Sequence, residues 1–103
     1  MSSPSDPYSN LQAESNRHRL DLIETELALC FTFSSVAARR HETGKHESAA
    51  RSMAKAEQAY QTVAQFLSDP KHSKHLTGEE SKGITATLKL LRDRLDRLRQ
   101  LKK

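Results

Sequence analysis

The chain has 103 residues, enough for one domain and too few for two. Only 35% of them are hydrophobic and 29% are charged, which implies a thin core beneath solvated outer faces. Seventeen Lys and Arg against 13 Asp and Glu leave a net charge of +4, interleaved along the chain with no block of five or more like charges, as solvated helix faces would be. Three glycines, three prolines and recurrent leucine spacing favour helices over sheet.

Residues 1–9 are polar and rich in Ser and Pro, and are expected to form a lead-in without order. They contain no apolar signal core, and no segment approaches the roughly 18 apolar residues of a membrane span. The sequence therefore predicts a cytoplasmic protein with no membrane association. Asp6-Pro7 and Asn10 are alternative helix starts, by proline in the first turn or by side-chain capping. Residues 10–103 are expected to form a single bundle.

The first helix is expected over about residues 11–42, and its centre carries two apolar stripes. Leu20, Ile23, Leu27, Cys30 and Phe31 form one; Leu22, Leu29, Phe33, Val36 and Ala37 form the other. One stripe suffices for a helix on a core, so the second marks a further contact. Leu22, Leu29, Phe33 and Val36 are accordingly the candidate interface, to be covered by a second copy, by a partner helix, or by the chain's own helices. Cys30 is the only cysteine and lies among apolar residues, where a thiol acts as a small hydrophobe. Arg39, Arg40 and His41 complement the negative end of the helix, and Gly44 can close it.

A second helix is expected over residues 45–68, with Ala49, Met53, Ala56, Tyr60, Val63 and Leu67 recurring at three and four. Asp69-Pro70 should stop it, since the residue before proline is steered away from the α region. A connector follows, with room for a turn of helix. Thr77-Gly78-Glu79-Glu80 has the pattern of a capping box opening a third helix over residues 78–102. Ile84, Leu88, Leu91, Leu95 and Leu98 step by four and three, Leu90 and Leu101 widen that seam, and Asp93 and Arg97 can pair on the solvated side. The predicted fold is all-α: an antiparallel up-down-up three-helix bundle with coiled-coil-like packing.

The sequence offers little chemistry. Asp69, His72 and His75 are spaced by three, but Pro70 interrupts any helix that would align them, and Lys71 and Lys74 place positive charge beside them. Gly44-Lys45 lacks the upstream glycine and following hydroxyl of a phosphate-binding loop. No catalytic residue, metal ligand, cofactor or small-molecule ligand is predicted. Lys82, Lys89, Arg92, Arg94, Arg97, Arg99, Lys102 and Lys103 project around the third helix without an interleaved aromatic. The leading expectation is a non-enzymatic module for self-association or protein–protein interaction. The alternative is a basic bundle that associates with nucleic acid.

Overall fold

The computed structural model describes residues 7–101, with side chains from residue 17 onward. Among the described residues four helices follow one another: α1 (Pro7–Glu42), α2 (His46–Ser68), α3 (Pro70–Ser73) and α4 (Gly78–Gln100). The three long ones, α1, α2 and α4, pack against each other as an all-α bundle. The molecule is elongated, 63 × 20 × 17 Å. At 1.5 Å per residue α1 is about 54 Å long and α2 and α4 about 35 Å each, so roughly the first 20 Å of α1 overhangs the bundle.

Helix ends differ from expectation by a few residues. α1 starts at Pro7, with proline in its first turn, so residues 7–9 are helical rather than part of the lead-in; residues 1–6 lie outside the described residues. Lys45 precedes α2 as its N-cap instead of belonging to it. α4 closes at Gln100 with Leu101 as its cap, while Lys102 lies outside the described residues.

The turns follow directly from side-chain chemistry. Gly44 adopts φ +79°, its N–H donates to the His41 carbonyl at 3.1 Å, and the Lys45 N–H reaches back to the Arg40 carbonyl at 2.8 Å. This crossed pair satisfies carbonyls that α1 would leave unpaired, and it reverses the chain. Asp69 ends α2 and accepts from the Lys71 N–H at 2.9 Å, which starts the single turn of α3. The capping box forms as predicted: Glu80 N–H donates to Thr77 Oγ1 at 3.1 Å, and Thr77 N–H to Glu80 Oε1 at 2.8 Å.

The core divides by residue size. Where α1 crosses α2, small residues meet: Cys30, Ser34 and Ala37 against Ala49, Ser52, Ala56 and Ala59, all buried. Small side chains let the two helices approach closely. α4 then supplies bulk along its predicted seam, with Ile84, Leu88, Leu91 and Leu95 all buried. A lower cluster of Ile23, Val63, Ile84 and Leu88 is closed over by Leu20, Phe66, Leu67 and Leu76.

Three expected core positions face elsewhere. Phe31 was expected on the inner stripe and is 56% exposed; eight residues after Ile23, it points about 80° away from it. Ala37, expected on the outer stripe, is buried because it falls near Cys30 in projection. Leu90 and Leu101 do not widen the α4 seam but remain exposed. On the solvated side of α4 the i,i+4 pair that forms is Arg92–Asp96, at 2.9 Å, in place of Asp93–Arg97.

Candidate interaction surface

Arginines tie the three long helices together in a ring and thereby define which face of α1 is left over. Arg40 of α1 donates to Ser52 Oγ of α2 at 3.1 Å. Arg92 of α4 makes a two-pronged bond to Glu57 of α2, at 3.0 and 2.6 Å, and lies 4.9 Å from the centre of the Tyr60 ring. Arg99 bonds the same carboxylate. Arg94 of α4 returns to α1, donating to Ser34 Oγ and Ser35 Oγ at 2.8 Å each and covering the Phe31 ring at 5.0 Å. Paired guanidinium geometry suits such contacts, because one planar fork orients two acceptors at once.

These contacts shift the groups involved. Hydrogen bonding from Arg92 holds the Glu57 carboxyl below the ordinary carboxylate range, against the opposing effect of burial. Burial pushes the Cys30 thiol up from its ordinary value. The sequence signal for this network was a pair of serines, Ser34 and Ser52, standing on inner stripes where apolar residues are expected. Both are almost wholly enclosed, and a buried hydroxyl needs a partner.

The four residues predicted as an interface separate into two sets. Phe33 turns toward α2, packs partly against the core cluster of Cys30, Ala37, Met53 and Ala56, and has Lys55 Nζ 5.4 Å from its ring centre. Leu22, Leu29 and Val36 line up along α1 on the same flank as Phe33, about 20–60° further round from the core than it. Leu22 is 48% exposed, Leu29 38%, and Val36 is half-buried. A shallow cleft of about 230 Å³ opens next to Val36 across the back of α1, lined by Phe31, Thr32, Ser35, Val36 and Arg39. The surface is thus a row of apolar projections beside a hollow.

A second concavity, absent from the sequence reading, lies at the Gly44 end. It holds about 460 Å³ between Ala37 and His41 of α1, His46, Ala49, Ala50 and Met53 of α2, and Leu98 and Arg99 of α4. Alanines create it: where α1 and α2 carry no bulk, α4 has nothing to close against. Its rim offers a histidine pair packed edge to face at 4.9 Å and an arginine already held by Glu57.

Other sites stay apart. His72 stacks on Phe66 at 4.0 Å, with Nε2 3.9 Å from Asp69, and so closes the lower end of the bundle. Among the described residues no three His, Cys, Asp or Glu side chains converge as metal ligands would. No helix among the described residues is long and apolar enough to cross a membrane. No family model matches the chain, and neither a curated protein nor a solved structure is significantly similar to it.

Proposed function

We propose that this protein is a non-enzymatic helical module that associates with a second copy of itself through the outer side of α1. The observation that carries the reading is the row Leu22, Leu29 and Val36, exposed or half-buried on a helix whose inner face is already fully occupied. Full burial of such a side chain contributes roughly 1.5–3 kcal/mol, and about half of that or less remains to be gained from each of these partly covered residues, which together still favour association. The arginine ring supports it further, since it stiffens α1 and presents the row on a rigid element.

The nucleic-acid reading loses support from that same ring. Arg92, Arg94 and Arg99 are engaged with Glu57, Ser34 and Ser35, leaving α4 a sparse set of outward cations such as Lys82, Lys89 and Arg97. Light scattering coupled to size-exclusion chromatography tests the proposal across protein concentrations. A dimer mass for the native chain and a monomer mass for the double variant Leu22→Glu/Leu29→Glu, with equal helicity, are expected. A monomer for the native chain at high micromolar concentration overturns it. Retention on DNA that falls steeply with salt would favour the nucleic-acid reading instead.

A further inference from the structure

We infer that the two copies lie with their α1 helices antiparallel about a two-fold axis at Leu29, an arrangement that rests on the self-association reading above. Three features of the outer side fit this arrangement: the spacing and the hollow fit the register, and charge sets the orientation. The first is spacing. Leu22 and Val36 each stand seven residues from Leu29, on opposite sides of it. A two-fold axis at Leu29 sets Leu29 against the partner's Leu29, Leu22 against the partner's Val36, and Val36 against the partner's Leu22. The row is therefore complementary to its own reverse, as a symmetric interface requires.

The second feature is the hollow. Thr32, Ser35, Val36 and Arg39 stand at i, i+3, i+4 and i+7, the four positions that form a hole for a knob from a facing helix. They line the 230 Å³ cleft together with Phe31. In the antiparallel register the partner's Leu22 arrives opposite Val36, at this cleft. Exposed Leu22 then has a receptacle, and each copy supplies both knob and hole.

The third feature is charge. Asp21 and Arg39 are eighteen residues apart, five full turns, so they point in the same direction from the back of α1, about 60–100° round from the apolar row. Both are exposed. Antiparallel pairing brings Asp21 within about two residues, roughly 3 Å of axial rise, of the partner's Arg39, and does so twice by symmetry. Parallel pairing would align Asp21 with the partner's Asp21 and Arg39 with the partner's Arg39. That alternative matches no opposite charges at these positions.

Cysteine crosslinking reads the register directly, because Cys30 is buried and does not compete. Leu29→Cys should link to itself under mild oxidation. Leu22→Cys alone should not, whereas Leu22→Cys mixed with Val36→Cys should yield the mixed dimer. Self-linking of Leu22→Cys without the mixed product would establish parallel pairing and overturn the inference. Charge reversal gives a second readout: Asp21→Arg and Arg39→Asp should each weaken association about tenfold, since two exposed pairs are reversed together. Mixing the two variants should restore it as a heterodimer. Failure to restore it, in a native chain that is dimeric by mass, overturns the register while leaving self-association standing. A native chain that is monomeric by mass overturns both.

Discussion

The inner and outer sides of α1 carry similar apolar residues in different settings. Inside, Ile23, Cys30 and Ala37 are almost wholly buried, and Ser34 is bonded to Arg94. Outside, Leu22 and Leu29 remain partly in water. The difference lies in the neighbours, since hydrophobicity hardly distinguishes the two rows. α2 and α4 are fixed on one half of α1 by small-residue packing and arginine bonds, and the row beyond Phe33 is left only partly covered. The lesson is that a helix with two apolar stripes need not bury both within its own bundle.

Substitutions should separate the two sides by size of effect. Leu95→Ala, at a fully enclosed position, should destabilise the monomer by roughly 2–5 kcal/mol in denaturant titration. Leu29→Ala on the outer side should change monomer stability by less than about 0.5 kcal/mol while weakening the dimer. Equal losses at the two positions would break the comparison. Ala56→Leu should cost about 1–3 kcal/mol, because Ala56 is fully enclosed in the small-residue core. Gly44→Ala should cost about 1 kcal/mol, the strain of a left-handed backbone, with helicity retained by circular dichroism.

The Glu57 clasp predicts a pH dependence. A carboxyl held below its ordinary range contributes stability that is present above the ordinary carboxylate value and lost as pH falls through the lowered one. The native chain should therefore lose more stability than Glu57→Gln between about pH 5 and pH 3 in chemical denaturation. Identical acid limbs would show that the clasp contributes nothing. A smaller readout is thiol labelling: Cys30 should resist maleimide in the folded chain and react on unfolding, as a buried thiol with a raised pKa does.

Much of the architecture was legible from local chemistry. The Thr77–Glu80 box, the Gly44 turn and the Ile84–Leu95 seam of α4 are short-range signals, set by side chains within a turn or two of each other. The outer row was legible too, because Leu22, Leu29 and Val36 follow the helical period. What escaped were consequences of neighbours. Projection places Phe31 and Phe33 on opposite flanks, but only the positions of α4 and α2 reveal that Arg94 covers the first and Lys55 the second. The hollow at Thr32 and the cleft beside Ala49 likewise depend on where a neighbouring helix stops, which no local pattern encodes.

The central claim, that the outer side of α1 is an interface and the inner side a core, is tested most directly by thermal unfolding at a series of protein concentrations. Association stabilises the folded state by mass action, so the native Tm should rise with concentration. The Tm of Leu22→Glu/Leu29→Glu should stay constant and match that of the dilute native chain. A native Tm independent of concentration, or a variant that unfolds far below the dilute native chain, would contradict the account.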